Sequence, residues 1–356
     1  MPRSLRVAPD GWSVEILDQT RLPQQETWQR ITTAGEMVEA IGTMRVRGAP
    51  LIGIAGAYAL CLALRADDSD QAIGLASEFI AAARPTAVNL AWAVQRIGQR
   101  VRAAPPGTRV SVGYQATAEL AAAEVAACRA IGDHGLDVLR GLHGRAPDRP
   151  LQVMTHCNAG WLATLEYGTA LAPVYRAWEE GLPVHVWVSE TRPRSQGWLT
   201  AWELGRSGVP HTVIADNAAG HLLQRGQVDV VLVGTDRTTR QGDVCNKIGT
   251  LLKALAAREY GVPFYVAAPS SSIDWQVGDG RLIPIEERSA DEVLWVAGSD
   301  PAGGRVRIQV SPAGSPAANP AFDVTPAALV TGLITERGLC GANAEGLLGL
   351  FPEHLP

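Results

Sequence analysis

The sequence predicts an α/β protein with two parts: a mostly helical N-terminal part with a short β element, and a C-terminal part built on a parallel sheet. Two observations lead to this prediction. Between residues 33 and 135 the apolar residues, many of them alanine, recur at helical spacing after one short β-rich run. From residue 151 onward short β-rich runs alternate with helical ones, which is typical of strand–helix units with helices on the sheet faces.

The N-terminal part begins with a predicted strand at residues 13–18, which ends before Pro23. Pro50 stands where the first turn of a helix tolerates proline, and the Ala-rich run after it predicts a buried helix. Further helical runs follow as far as residue 135. The predicted helices of this part cover residues 34–41, 51–65, 76–83, 88–102 and 116–135.

A charged, Pro-bearing stretch at residues 145–150 is a candidate linker. We therefore predict one domain at residues 1–145 and a second at residues 146–356. In the second domain no G-x-G-x-x-G motif follows the first strand, so a dinucleotide site is not supported. Its predicted strands are 151–155, 183–189, 211–214, 228–233 and, last, 263–267, and its predicted helices are 159–170, 199–205, 218–225 and 247–260.

Composition excludes several classes of protein. The 356 residues include 31 Lys and Arg against 36 Asp and Glu, a net charge of −5 that argues against nucleic-acid or anionic-membrane partners. The five cysteines are widely spaced and form no CxxC pair or Cys/His cluster, which disfavours a zinc site and a disulfide scaffold. No apolar region follows the basic N-terminal residues, and no apolar segment suits a bilayer span. We expect a cytoplasmic protein without a metal.

Polar residues follow the ends of several predicted strands, where an α/β sheet places its ligands. Cys157 is the sharpest candidate, because it lies between strand 151–155 and predicted helix 159–170, where backbone N–H groups and the helix dipole favour a thiolate. For the residue alone, a buried, inert cysteine is the favoured interpretation, because burial is the commonest environment of a free cysteine. His156 is adjacent, but neighbours at a strand end point to opposite sides, which disfavours a Cys–His dyad.

Asp236 directly follows the apolar strand 228–233. A carboxyl group in such a setting is a candidate general acid or base, because an apolar environment raises its pKa. A helix cap or an ion pair with Arg237 explains the same residue equally well. Asp243 has the same alternatives, and a capping role is equally open for Asp216.

Three basic segments precede or open predicted helices: Arg47-Gly48-Ala49-Pro50, Arg84-Pro85-Thr86 and Asn246-Lys247. A glycine, a basic side chain and a helix N-terminus together form a cradle for a phosphate group. Each segment alone is typical of a protein surface. The three together, in an acidic protein, favour a small acidic substrate.

Six motifs occur along the chain in a characteristic order. They are Arg47-Gly48-Ala49-Pro50, Arg84-Pro85-Thr86-Ala87-Val88-Asn89-Leu90, Thr155-His156-Cys157-Asn158-Ala159-Gly160, Glu190-Thr191-Arg192-Pro193 with Gln196-Gly197, Gly242-Asp243-Val244 with Asn246-Lys247-Ile248-Gly249-Thr250, and Asn319-Pro320-Ala321-Phe322-Asp323-Val324-Thr325-Pro326. The set resembles the methylthioribose-1-phosphate isomerase family of methionine salvage, from about residue 14 to residue 338. That family is related to the regulatory subunits of translation initiation factor 2B and to ribose-1,5-bisphosphate isomerase.

The resemblance implies an aldose–ketose isomerase that converts 5-methylthioribose 1-phosphate to 5-methylthioribulose 1-phosphate. It also implies a small N-terminal domain, a Rossmann-like catalytic C-terminal domain, a homodimer, and no metal or nicotinamide cofactor. The family's catalytic cysteine falls on Cys157 and its catalytic aspartate on Asp236. Its substrate-binding positions fall on Arg47, Gly48, Ala49, Arg84, Gln196, Asn246 and Lys247.

The chain departs from the family's pattern at two places. Thr235 stands where the family usually has alanine, which places a hydroxyl beside Asp236. After Gln196-Gly197 the family usually has one more residue, often an arginine, whereas here Trp198 stands alone. We expect altered hydrogen bonding beside Asp236 and a re-shaped loop at Gln196.

Two alternatives to this activity stay open. The first is an isomerase of a related sugar 1-phosphate such as ribose 1,5-bisphosphate, and the second is a non-catalytic regulatory subunit. The presence of both Cys157 and Asp236 favours an enzyme. Among the ten tryptophans, Trp161 and Trp198 are expected to narrow the site around an apolar tail, while Trp92 and Trp202 are expected in the core.

Overall fold

The computed structural model describes residues 2–84 and 88–355 of the chain. The strands are β1 (Leu5–Val7), β2 (Val14–Leu17), β3 (Trp28–Ile31), β4 (Leu151–Thr155), β5 (Val184–Ser189), β6 (His211–Ile214), β7 (Val230–Val233), β8 (Arg237–Thr239), β9 (Val244–Lys247), β10 (Phe264–Ala267), β11 (Ile273–Asp274), β12 (Trp295–Ser299), β13 (Arg305–Gln309), β14 (Phe322–Thr325), β15 (Gly332–Thr335) and β16 (Gly338–Cys340). The helices are α1 (Ala34–Gly42), α2 (Ala49–Leu64), α3 (Asp70–Ala81), α4 (Val88–Arg102), α5 (Arg109–His143), α6 (Ala172–Glu179), α7 (Gln196–Arg206), α8 (Ala218–Gln224), α9 (Thr250–Glu259), α10 (Asp291–Leu294) and α11 (Ala344–Leu350). Among these helices, none is long and apolar enough to cross a membrane.

The N-terminal part combines the antiparallel strands β1, β2 and β3 with helices α1 to α5. Helix α2 is buried on almost every side and packs against α1, α3, α4 and α5, so it forms the centre of this part. The predicted helical character is confirmed, although α3 and α5 begin several residues before their predicted starts. The largest difference is that α5 runs through the predicted end at Gly135. A Cβ atom at Gly135 would lie 2.2 Å from Cγ of Pro173, so this glycine permits close packing of α5 on α6 and does not end the helix.

A seven-stranded sheet forms the centre of the C-terminal part, with the order β16-β15-β10-β7-β4-β5-β6. Its strand pairs are parallel except for the antiparallel edge pair β15–β16, which confirms the predicted parallel sheet. The strands that follow β4 extend the sheet first through β5 and β6, and then on the opposite side through β7. The order therefore reverses between β4 and β7, and such a switch point opens a crevice at the carboxyl ends of the strands.

A second, small sheet lies beside this crevice, with the order β11-β8-β9-β14. Here the predicted helix 247–260 is wrong at its start, because residues 244–247 form β9 and pair with β14. Gly249, with φ of +98°, separates this strand from α9, which begins at Thr250. The prediction that 263–267 is the last strand is also wrong, since β15 adds to the main sheet beside β10.

The segment between β4 and α6 differs from the prediction of a helix at 159–170. It forms a loop with one short 3₁₀ turn at Trp161–Ala163, and α6 begins only at Ala172. The loop's backbone N–H groups at residues 161 and 162 are bound by the carboxylate of Glu203, a contact from another helix that local sequence does not encode. The loop at residues 144–150 joins α5 to β4, and the division into domains at 145 and 146 stays a prediction.

Candidate active site

One pocket opens at the crevice between β4 and β7, with a volume of about 60 Å³. It is continuous with a wider cleft of about 360 Å³, since Met44, Arg47 and Gln196 line both. The pocket brings together all the site residues predicted from the sequence. They are Cys157, Asp236, Arg47, Gly48, Ala49, Arg84, Gln196, Asn246 and Lys247.

Cys157 follows β4 in a left-handed backbone conformation, with φ of +66°. Its backbone N–H donates to Oγ1 of Thr191 at 2.8 Å, and its carbonyl accepts from the Thr200 hydroxyl at 2.8 Å. Because no helix begins at residue 159, the predicted stabilisation of a thiolate by a helix N-terminus is wrong. Burial raises the pKa of the Cys157 thiol, and the positive charges of Arg47 and Lys247 oppose that rise.

Asp236 lies between β7 and β8 and is half-buried. Its backbone N–H donates to the Cys245 carbonyl at 3.0 Å. Burial raises the pKa of its carboxyl, while Lys247 and Arg84 lower it. The capping alternative is wrong because no helix follows Asp236.

Arg47 enters the pocket from the turn before α2. Its guanidinium donates to both oxygens of Asn158, to the carbonyl at 3.1 Å and to the side-chain oxygen. The backbone at Gly48 has φ of +99°, and a Cβ atom there would lie 2.3 Å from the Ala163 carbonyl oxygen. Only glycine therefore fits between the start of α2 and the loop that joins β4 to α6. Among the described residues, Nε of Arg47 and Oε1 of Gln196 are buried without a hydrogen-bond partner. Such buried polar atoms are costly unless a ligand satisfies them.

Two further cationic side chains line the pocket. Lys247 is buried at the end of β9, and its ammonium lies 4.4 Å from the centre of the Phe322 ring. Burial lowers the pKa of Lys247, while the charges of Cys157 and Asp236 raise it. Nη2 of Arg84 lies 3.5 Å from a carboxylate oxygen of Glu286. The other residues of this basic segment, Pro85 and Thr86, lie outside the described residues.

Asn246 also belongs to β9, and its amide donates to the Thr250 hydroxyl at 3.0 Å. Asn246 and Lys247 therefore reach the pocket from a strand. The prediction that they open a helix is wrong, although both residues line the pocket as expected.

Asp216, for which a helix-capping role was one of two open alternatives, fixes the loop after β5. Its carboxylate accepts from the backbone N–H of Thr191 at 2.8 Å and of Arg192 at 2.7 Å. His156 is buried beside it and donates from Nε2 to the Ile248 carbonyl at 2.8 Å. Burial is the main cause that lowers the pKa of His156, to about 3.

This buried histidine makes stability depend on pH. Below its ordinary value of 6.5 the unfolded chain binds a proton at His156, whereas the folded chain does not until about pH 3. Unfolding is thus favoured as pH falls, by about 1.4 kcal/mol per pH unit within that window. We expect urea titrations between pH 6 and pH 4 to show a pH slope that is smaller by this amount in His156→Gln. The exposed His221→Gln variant is the control, and equal slopes in all three proteins contradict the assignment.

Known proteins share both sequence and fold with this chain. A profile of the Initiation factor 2 subunit family matches residues 45–341. A methylthioribose-1-phosphate isomerase from Rhodospirillum centenum is 57% identical over 354 residues, which cover 99% of this chain and 94% of the relative. Another, from Gluconobacter oxydans, is 57% identical over 356 residues, which cover 99% and 97%. The chain belongs to the methylthioribose-1-phosphate isomerase family.

Its relatives carry the name of an isomerase, and the chain is an enzyme of this class. A solved structure of 5-methylthioribose 1-phosphate isomerase from Pyrococcus horikoshii has a TM-score of 0.84 and 37% identity, covering 99% of this chain and 96% of that one. Subunit delta of translation initiation factor eIF-2B from A. fulgidus has a TM-score of 0.82 and 34% identity, covering 99% and 100%. The fold alone therefore does not separate the isomerases from the factor subunits.

The two departures from the family's usual pattern have local effects. The Thr235 hydroxyl lies 3.0 Å from that of Thr238 and 3.3 Å from the Cys245 carbonyl, so its partners belong to β8 and β9. Trp198 lines the wider cleft, on the first turn of α7.

The expectation that Trp161 narrows the site is wrong, because this residue is only 2% exposed and its ring packs on the Trp202 ring, with 5.7 Å between the ring centres. Trp92 and Trp202, expected in the core, are half-buried and pack against the edges of two core clusters.

Proposed function

We propose that this enzyme converts 5-methylthioribose 1-phosphate to 5-methylthioribulose 1-phosphate, a step of methionine salvage. The observation that carries the proposal is the single pocket lined by a thiol, a carboxyl group of raised pKa and three cationic side chains. The names of the relatives supply the substrate class. The proposed catalytic residues are Cys157 and Asp236.

The phosphorylated substrate poses a particular chemical problem. Its anomeric oxygen carries the phosphate ester, so the sugar ring does not open to an aldehyde as an ordinary aldose does. Ring opening needs a proton at the ring oxygen. We assign that proton to Asp236, because burial favours the protonated form of its carboxyl at a higher pH than usual.

Two routes then move hydrogen from C2 to C1. In the first, Cys157 abstracts the C2 proton, an enolate forms, and a proton is then returned to C1. In the second, a hydride moves directly from C2 to C1 while Cys157 and Asp236 donate and accept the protons of the hydroxyl groups. A substrate with deuterium at C2 separates the routes. Full retention of deuterium at C1 excludes a base that exchanges freely with water.

The phosphate-binding groups of the proposal are Arg47, Arg84 and Lys247. The backbone N–H of Ala49 at the start of α2 adds a partial positive charge. Gln196 and Asn246 supply amide groups for the sugar hydroxyls. Together with Gly48, these residues make up the proposed substrate-binding set.

The alternative isomerase of ribose 1,5-bisphosphate needs a second phosphate site. The second alternative is a non-catalytic regulatory subunit. It is supported by the A. fulgidus factor subunit, which shares the fold at 34% identity. Against a regulatory role, the relatives named isomerase have much higher identity, at 57%.

Side-by-side assays of the two sugar phosphates test the proposal. We expect kcat/KM for 5-methylthioribose 1-phosphate to exceed that for ribose 1,5-bisphosphate by at least about 100-fold, because an enzyme whose substrate carries an apolar methylthio group needs no partner for a second phosphate and leaves that phosphate unpaired. Phosphorus NMR of both reactions gives the two values. A higher value for the bisphosphate favours the first alternative, and no turnover of either sugar favours the second.

We also propose a cytoplasmic homodimer with the domain division at residues 145 and 146. Leu252 and Leu255 on α9 are 67% and 47% exposed, and such apolar residues on a helix surface support a contact between subunits. Sedimentation of the purified chain gives its oligomeric state.

A further inference from the structure

Glu203 is a fully buried carboxylate on α7, and it binds the loop that follows β4. Four groups donate hydrogen bonds to it. They are Nδ2 of Asn158 at 2.8 Å, the backbone N–H of Leu162 at 2.9 Å, the backbone N–H of Trp161 at 2.9 Å and the Tyr175 hydroxyl at 3.0 Å. Burial raises the pKa of the Glu203 carboxyl, while these hydrogen bonds and the charge of Arg47 lower it. All four partners are donors, which favours the ionised form, because an ionised carboxylate only accepts.

This carboxylate also fixes the orientation of the Asn158 amide. The amide nitrogen donates to Glu203 and, at 3.2 Å, to the Thr200 hydroxyl, so both of its hydrogens are used. Its side-chain oxygen therefore faces Arg47. This oxygen and the backbone carbonyl of Asn158 both accept hydrogen bonds from the Arg47 guanidinium. A flipped amide would set a donor against a guanidinium, which has only donors.

The loop after β4 packs closely on Glu203. A Cβ atom at Gly160 would lie 1.8 Å from Oε2 of Glu203, so the backbone meets the carboxylate directly. The resulting chain of contacts runs from Glu203 through Asn158 to Arg47. Arg47 is the positive charge that most strongly opposes the rise in the pKa of Cys157.

We propose that Glu203 is a positioning residue that, through Asn158, holds the Arg47 guanidinium beside Cys157 and keeps the thiol ready to react. Its relevance to turnover rests on the proposed function, but its effect on the thiol does not. Arg47 is buried with its charge and needs a fixed anionic or polar support. Glu203 and Asn158 supply that support.

The test is the pH dependence of alkylation by iodoacetamide, followed by mass spectrometry of the Cys157 peptide. In Glu203→Gln one carboxylate oxygen becomes an NH₂ donor, which faces a backbone N–H donor of Trp161 or Leu162 whichever way the amide is turned. Asn158 and Arg47 therefore lose their fixed orientation. We expect the alkylation profile of Cys157 to move to higher pH by about one unit, which lowers the rate near neutral pH about tenfold. We also expect kcat/KM for 5-methylthioribose 1-phosphate to fall about 100-fold, as for a displaced catalytic group.

Two controls separate positioning from a general loss of structure. Cys340 is half-exposed on β16 and serves as an internal reference thiol in the same sample. Glu124→Gln removes another buried carboxylate, on α5, whose partner is the Ser271 hydroxyl at 3.3 Å. We expect both the Cys340 profile in Glu203→Gln and the Cys157 profile in Glu124→Gln to stay unchanged.

The same measurement distinguishes the remaining outcomes. An unchanged Cys157 profile in Glu203→Gln overturns the proposal, and so does an equal shift of both thiols or an equal effect of Glu124→Gln. If Glu203→Gln does not fold, Asn158→Ala breaks the chain of contacts at its middle and must give the same upward shift of Cys157 alone. If Glu203→Gln shifts the Cys157 profile but the wild-type protein does not isomerise the sugar, the positioning role is supported and only the proposed function is overturned.

Discussion

Replacement of Cys157 by alanine is expected to lower kcat for 5-methylthioribose 1-phosphate by about 10³-fold or more, the contribution of a group that moves protons or stabilises charge in the transition state. The thiol is half-buried at the switch point of the sheet, with Arg47 and Lys247 among the charges that act on it. KM should change little, because alanine removes no charged contact to the phosphate. A continuous assay of ketose formation gives both constants.

Cys340→Ser is the matched control for this variant. Cys340 is also half-exposed, but it lies on β16 at the far edge of the sheet. Its replacement should leave kcat within about twofold of wild type. Normal turnover by Cys157→Ala would remove Cys157 from the mechanism.

Replacement of Asp236 by asparagine is expected to lower kcat by about 10² to 10⁴-fold, because the amide has no acidic proton for the ring oxygen. If Asp236 works as a neutral acid, asparagine keeps the charge of the site and KM stays nearly constant. The raised pKa of Asp236 also sets a direction for the pH profile. Wild-type kcat should fall as pH rises through this pKa, at a higher pH than for an ordinary carboxyl group, and Asp236→Asn should lose that limb.

Asp229→Asn provides the control, because Asp229 and Asp236 flank opposite ends of β7. Asp229 binds Arg149 at the amino end of the strand, away from the pocket. The Asp229→Asn variant should retain wild-type kcat and the wild-type pH profile. A wild-type rate in Asp236→Asn, or an unchanged alkaline limb, contradicts the role of general acid.

The sequence was sufficient to predict the parallel sheet and the convergence of the site residues, because both follow from local patterns. Each apolar strand is short and flanked by polar residues, and the carboxyl ends of parallel strands meet at one edge. Cys157 after β4 and Asp236 after β7 therefore approach each other once these two strands are adjacent. Their adjacency itself was not predicted, since strand order depends on contacts distant along the chain.

The errors share one physical cause, which is contact between distant segments. Residues 159–170 have helical composition, yet Glu203 binds their backbone N–H groups and stabilises a loop. The sequence pattern predicts Lys247 on a helix, but β14, which begins 75 residues later, pairs with residues 244–247 as a strand. The sequence does not predict a role for Glu203 either, and its one signal is that it is the lone charged residue within the run 198–204.

The central claim is that Cys157 and Asp236 act as one catalytic unit on 5-methylthioribose 1-phosphate. A double-mutant cycle of kcat tests it most directly, with the wild type, Cys157→Ala, Asp236→Asn and the double variant assayed on this sugar. For residues that act as a unit, the double variant should be about as slow as the slower single variant. Losses that multiply in the double variant, or a wild-type protein inert toward this sugar, would contradict the claim.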